Sequence, residues 1–182
     1  MAIKSQIENR NFLSPVGFKF ILTRTPKVSF FANTANIPSI SMGNAIQSTY
    51  FKDIPVPGDK VEFGDFTLRF IVDENLENYI QIHKWIRGLG YPESLREIFD
   101  LQTEREEGAP QKESMDIYSD GTLQVLTSNY TPQFNIVFKD MFPVELSALD
   151  FDATNNDIDY FTAEVTFKYT IYNIEDTQGN RL

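Results

Sequence analysis

The chain has no cysteine among its 182 residues. Disulfides, thiolate chemistry and cysteine-held metals are therefore excluded. Histidine is nearly absent too: His83 is the single one, so a His-based triad would have to use it as the base. It falls on the apolar stripe of a predicted helix, where a packed or hydrogen-bonded ring is expected. Positive charge is scarce, with 16 Lys and Arg against 26 Asp and Glu and a formal net charge of −10. A surface of that sign repels phosphate and excludes a nucleic-acid-binding module of the usual kind. Charge of this size otherwise speaks first to solubility.

Long apolar runs are also lacking, and none approaches the length needed to cross a bilayer. Met1-Ala2-Ile3-Lys4-Ser5 is followed by no apolar signal core, so no secretory leader is expected. On that expectation the sequon Asn129-Tyr130-Thr131 is a chance match. No glycine-rich loop cradles a phosphate, because Gly88-Leu89-Gly90 follows a predicted helix and not a strand.

The acidic stretch from Asp150 to Asp159 superficially suggests a calcium loop. Counted from Asp152, its sixth position is Asp157 and its twelfth Ala163, where glycine and glutamate are needed; counted from Asp150, they are Asn155 and Phe161. Both registers fail, and a solvated loop is expected. Other carboxylates are plentiful but sit in loops, with nothing to place two of them in one cleft. No catalytic, cofactor-binding or metal residue is assigned, no cofactor is expected, and the chain is not expected to be an enzyme.

What is present in quantity is apolar and aromatic material. Hydrophobic residues make up 41% and aromatics 14%, with 16 Phe and 8 Tyr, enough for a core and too much for a disordered chain. They recur in strict alternation, the period of a half-buried strand. The rows are Phe18, Phe20 and Leu22; Phe66, Leu68, Phe70 and Val72; Phe134, Ile136 and Phe138; and Val165, Phe167, Tyr169 and Ile171. No basic residues accompany these aromatics in a base-stacking pattern, so they read as core.

Weaker strands are predicted over Lys27 to Phe31 and, as an extended arm with few apolar residues, over Ile40 to Ile54. Pro55-Val56-Pro57-Gly58-Asp59 reads as a turn and the return limb starts near Val61. Asp120-Gly121 reads as a tight turn between Met115–Tyr118 and Thr122–Leu126.

One helix is predicted from about Asn75 to Arg87, with Leu76, Tyr79, Ile80, His83 and Ile86 on its apolar stripe. Asp73 or Asn75 would cap it, and Gly88, Gly90 and Pro92 would end it. A second helical turn or two is predicted from Pro92 to Leu101, burying Leu95, Ile98 and Phe99, before a polar loop from Glu104 to Glu113. The predicted fold is mainly β with one flanking α-helix, an antiparallel barrel or sandwich. It forms a single domain over residues 1–182, with a long hairpin at about 39–63 and a helical and loop insertion at about 92–113.

The order of features resembles the tail tube proteins of contractile-tailed phages. The resemblance is carried by Asn11-Phe12-Leu13-Ser14-Pro15-Val16-Gly17-Phe18-Lys19-Phe20, then Ala32 to Ile40, the long hairpin, Pro57-Gly58-Asp59 and the strand Phe63–Val72. Asp73-Glu74, the helix with Trp85, Phe142-Pro143-Val144-Glu145-Leu146, Leu149 to Asp152, Asp157 to Phe161 and the last alternating row complete it. It covers Phe12 to Tyr172 in order, and only the 92–113 insertion exceeds what a minimal tube subunit needs.

The resemblance implies hexameric rings stacked into the inner tube of a tail, a conduit for DNA ejection inside a contractile sheath. It implies as partners further copies of the chain, the tail sheath protein and a baseplate or tube initiator. The tape measure protein and genomic DNA would occupy the lumen without specific binding, and no membrane is involved. The location implied is the virion tail, assembled in the host cytoplasm. A baseplate tube initiator, or the tube subunit of a related injection or secretion system, fits the same features. A solitary carbohydrate- or protein-binding sandwich is the remaining alternative. The candidate ring-stacking hairpin comprises Tyr50, Lys52, Asp53, Pro57, Gly58, Asp59 and Lys60. Candidate acids for the lumen or its loops are Asp116, Asp120, Asp150 and Asp152.

Overall fold

The computed structural model describes residues 13, 17–25, 31–103, 117–151 and 160–182. Among them the chain runs β1 (Phe18–Leu22), β2 (Phe31–Ala35), β3 (Ile40–Gln47), β4 (Ile54–Phe63) and β5 (Phe66–Ile71). Two helices follow, α1 (Glu77–Gly90) and α2 (Arg96–Thr103). The last strands are β6 (Ser119–Leu126), β7 (Pro132–Leu146), β8 (Thr162–Lys168) and β9 (Ile171–Asp176). Seven strands join in the order β1-β6-β7-β8-β5-β2, with β9 added on β7, while β3 and β4 pair with each other as a separate ribbon.

Strand β7 makes the sheet bend. Its first part pairs with β6 and β9, and its last part, from Phe142, pairs with β8. Between the two lies Asp140 in the left-handed region at φ 53, and its N–H donates to Asp120 Oδ1 at 3.1 Å. The slip in the β6–β7 register falls at the same place, as expected of a bulge that turns a strand out of one ladder into another. The two halves of the sheet therefore face each other across one core. Phe66 is fully buried between them, its ring centroid 5.2 Å from Phe20, 4.6 Å from Phe138 and 6.1 Å from Phe167.

Helix α1 covers one side of this core. Trp85 is buried, its ring is 6.2 Å from Phe167, and its Nε1–H donates to the Ile117 carbonyl at 2.8 Å. The Arg24 guanidinium lies over the indole, 5.7 Å from its centroid, and donates to the Leu101 carbonyl. One side chain thus ties the end of β1 to both helices. Helix α2 crosses α1 at Gly88, where a Cβ would sit 2.8 Å from Leu101 Cβ. Gly88→Ala is expected to cost about 1–3 kcal/mol through overpacking, measurable as a lowered urea midpoint with unchanged slope.

Several expectations require correction. Among the described residues the sheet does not close into a barrel, because β1 and β2 at its two ends share no ladder. Among the described residues there are two helices, α2 standing where a second helical turn or two is predicted, so the sheet is not flanked by one helix alone. The buried face of α1 is Asn78, Ile82, Trp85 and Gly88, and His83 and Ile80 are exposed.

Neither Asp73 nor Asn75 caps α1 with its side chain. Leu76 stands at the cap with φ 59 and no side-chain bond. The buried Asn78 carboxamide does the local work, donating to the Ile71 carbonyl at 3.0 Å and accepting from the Tyr79 amide at 2.8 Å. The helix runs through Gly88 and ends at Tyr91, whose left-handed conformation lets its N–H donate to the Arg87 carbonyl. On α2, Leu101 is buried and Ile98 half-buried, while Phe99, and Leu95 just before the helix, are exposed.

Asp120-Gly121 lies inside β6 and makes no turn; Gly121 pairs with Leu22 on one side and Phe138 on the other. Its missing side chain leaves room for Met141 Sδ and the Phe20 ring. The final row is broken as well: β8 ends at Lys168 and β9 begins at Ile171, in the other half of the sheet. Residues 26–30 and 104–116, which hold most of one predicted strand, Met115 and the polar loop, lie outside the described residues.

Candidate functional site

The most unusual surface is the β3–β4 ribbon. Every described position of β3 is exposed, and β4 is exposed but for two half-buried residues. Paired residues share a face. One face carries Ile40 with Phe63, Met42 with Val61, Asn44 with Pro57, and Ile46 with Pro55; the other carries Ser41 with Glu62, Ala45 with Val56, and Gln47 with Ile54. Across the bulge β3 advances two residues where β4 advances four, from Met42↔Val61 to Asn44↔Pro57. An even slip keeps the faces in register. The first face is therefore the more apolar, broken only by Asn44 and turned to solvent beyond Phe63, while the second mixes Ala45, Val56 and Ile54 with Ser41, Glu62 and Gln47.

The turn is not where composition placed it. It spans residues 48–53, where Ser48 Oγ donates to Asp53 Oδ1 at 2.8 Å and Thr49 Oγ1 donates to the Lys52 carbonyl. Pro55-Val56-Pro57-Gly58-Asp59 belongs to β4. Prolines two apart put both ring nitrogens on one edge, and a two-stranded ribbon has a free edge to take them. Gly58 is needed at the bulge, since a Cβ there would collide with the Gly43 carbonyl oxygen. At the tip Tyr50 and Phe51 are 96% and 94% exposed and pack edge to face at 5.2 Å.

Of the residues singled out from sequence, Tyr50, Lys52 and Asp53 lie in this turn and Pro57, Gly58, Asp59 and Lys60 in β4. Asp120 lies in β6, where its carboxylate takes the Asp140 amide and its carbonyl takes the Thr23 amide. Asp150 is exposed after β7, and Asp116 and Asp152 lie outside the described residues. The residues missed are Ile40, Met42 and Ile46. Their spacing of two carried the signal, but Asn44 interrupts it and the segment reads as polar.

The ribbon joins the body through aromatics. The Phe63 ring lies 6.2 Å from Tyr169 and 5.4 Å from Tyr172. Burial, reinforced by Tyr172 and Asp65, pushes the Tyr169 phenol up to about 12. The fold thus favours the neutral phenol. That contribution is complete below the ordinary tyrosine value of about 10 and is lost as pH rises through about 12. An absorbance titration is expected to show one late phenolate step that Tyr169→Phe removes.

Elsewhere, a cleft of about 360 Å³ between the helices is lined by His83, Lys84, Arg87, Glu97, Asp100 and Leu101. Its Arg87 is already paired, with Glu97 across the cleft at 2.8 Å and with Glu93 beside it at 2.6 Å. Among the described residues no group of three or more His, Asp or Glu side chains is placed to hold a metal.

A family model described as phage tail tube protein matches residues 5–175. No curated protein sequence matches the chain. Among solved structures, a chain in the cap that terminates the tube of the anti-feeding prophage is similar at 17% identity and TM-score 0.63, covering 97% of this chain and 100% of that one. A chain in the extended sheath–tube complex of an extracellular contractile injection system, PVC, is similar at 16% identity and TM-score 0.55, with 97% and 100% covered. A chain in the sheath/tube terminator of the same system is similar at 19% identity and TM-score 0.56, with 92% and 99% covered. These likenesses are of fold.

Proposed function

The chain belongs to the phage tail tube protein family, a family of structural tube proteins, and from that premise we propose that it is the subunit of an inner tail tube, stacked as hexameric rings inside a contractile sheath. The observation that carries this reading is the exposed ribbon with its mainly apolar face. A lone two-stranded hairpin is marginal in water, and an exposed apolar face marks a contact surface. A neighbouring copy in the next ring would cover Ile40, Met42, Ile46 and Val61 and satisfy both conditions. The partners on this reading are other copies, the sheath protein and the baseplate initiator, with the tape measure protein and DNA in the lumen.

Negative-stain electron microscopy with light scattering on the same sample tests it. Six-fold rings or hollow tubes are the expected result. A strict monomer at all concentrations, with and without an initiator complex, would overturn it.

The net charge of −10 supports a lumen along which DNA phosphate slides without sticking. Repulsion at physiological salt reaches only about 8 Å, so it acts as a lining. Asp150→Lys is expected to leave tubes intact and slow DNA ejection, scored as genome release from triggered particles. Unchanged release would remove the electrostatic part.

A second reading is favoured by the fold likeness to the anti-feeding prophage and PVC chains: the tube subunit of a related injection system, with a tube initiator as the alternative that fits the same sequence features. An initiator would stop at a single ring where a tube subunit polymerises.

A further inference from the structure

We infer that Tyr169 and Tyr172 are positioning residues for the ribbon, their hydroxyls holding its two roots and setting the angle at which it leaves the body; this rests on the reading of the ribbon as the copy-to-copy arm. Among the described residues, strands β3 and β4 share a ladder with each other and with no other strand, so the direction of the ribbon is decided at its roots.

At the first root Tyr172 Oη–H donates to the Pro38 carbonyl at 3.2 Å. At the second, Tyr169 Oη–H donates to the Gly64 carbonyl at 2.7 Å. The roots are joined to each other by the Gly64 amide donating to the Ser39 carbonyl at 2.9 Å. Gly64 is at close approach there, since a Cβ would lie 2.7 Å from Ser39 Oγ. The Asn36 carboxamide fastens the flanking backbone, donating to the Asp65 carbonyl at 3.0 Å and accepting from the Thr67 amide at 2.7 Å.

Tyr169 comes from the short crossover between β8 and β9, where the chain passes between the halves of the sheet, and Tyr172 follows as the second residue of β9, paired with Phe138 of β7. That crossover is itself held on β7 by the Thr170 amide, which donates to the Lys139 carbonyl at 3.0 Å. The rings pack on the core residue Phe138, at 5.0 Å and 5.9 Å between centroids. Phenylalanine would therefore keep the packing and lose only the bond to the root.

Leverage makes these bonds matter. A ribbon of eight residues is about 26 Å long at ~3.3 Å per residue, so a tilt of about 10° at the root moves the tip by roughly 5 Å. Stacked copies meet at that tip and face, and a shift of that size takes side chains out of contact.

The test compares the full-length Tyr169→Phe/Tyr172→Phe variant with Tyr79→Phe. Tyr79 donates to the Ser147 carbonyl at 3.2 Å, so its variant loses a similar bond away from the ribbon. In the unassembled protein, amide exchange at Gly64 is expected to quicken by about tenfold in the double variant. Its critical concentration for assembly is expected to rise by a similar factor, or its tubes to show an altered twist by cryo-electron microscopy. Tyr79→Phe should move none of these. Unchanged exchange in the double variant, or equal effects in Tyr79→Phe, would overturn the inference. If the wild-type protein forms no ring or tube, the arm reading fails, and the exchange at Gly64 then decides the clamp on its own.

Discussion

Replacing Met42 and Ile46 together with aspartate is expected to leave a folded subunit that no longer polymerises. Both side chains lie on the apolar face of the ribbon and both are more than half exposed, so the isolated fold loses little. In a stacked assembly each would be buried. Burying two such side chains is worth roughly 3 kcal/mol or more, and a loss of that size raises a critical concentration by about a hundredfold. Buried carboxylates in the same contact add a desolvation cost. The control is Ser41→Asp with Gln47→Asp, the same charge on the opposite face, which should assemble much as the wild type does. Sedimentation of assembled material against protein concentration reads all three. Polymerisation of the Met42/Ile46 variant at wild-type concentration would remove the ribbon face from the contact.

Phe66→Ala is expected to cost the most of any single core truncation, about 3–5 kcal/mol by the usual range for a buried phenylalanine. Its ring stands where the two halves of the sheet meet, in contact with Phe20 of β1, Phe138 of β7 and Phe167 of β8. All four residues are almost wholly buried. The space left cannot be refilled from one side, because its lining belongs to three different strands. For a chain of this size the melting temperature should fall by roughly 10 °C, and calorimetry checks it. Ile71→Ala lies on the other face of the same strand, half-buried, and should cost much less. Equal losses at the two positions would mean that the core does not close around Phe66.

Much of the architecture was legible in alternation alone. The rows Phe18–Leu22, Phe66–Phe70 and Phe134–Phe138 are strands with the predicted residues inward. A period of two is a local property and survives whatever the strand later pairs with. Helix α1 was also legible, but its buried face was not. Two of its four buried residues are Asn78 and Gly88, chosen for a hydrogen bond and for close approach by Leu101. A stripe drawn through apolar residues passes them by.

The candidate site was legible as a place and not as a surface. Tyr50 to Lys60 do lie on the exposed ribbon, yet the turn was set in the wrong half. Proline and glycine ordinarily signal a turn, and here a bulge and a free edge accommodate them within a strand. The apolar face was overlooked because Asn44 breaks its rhythm.

By itself, then, the sequence determined the strand-rich class, the inward face of most strands, the lack of thiol chemistry and the acidic balance, and the order of its motifs carried the family. These are set by side-chain chemistry and by spacings of a few residues. The tertiary structure decided where β7 changes partners, that the sheet stays open, which face of α1 is buried, and that one exposed ribbon is apolar on one side and tethered by two tyrosines. Each of these depends on residues tens of positions apart, from Asp120 with Asp140 to Pro38 with Tyr172. Contacts of that kind exist only once the chain has closed on itself.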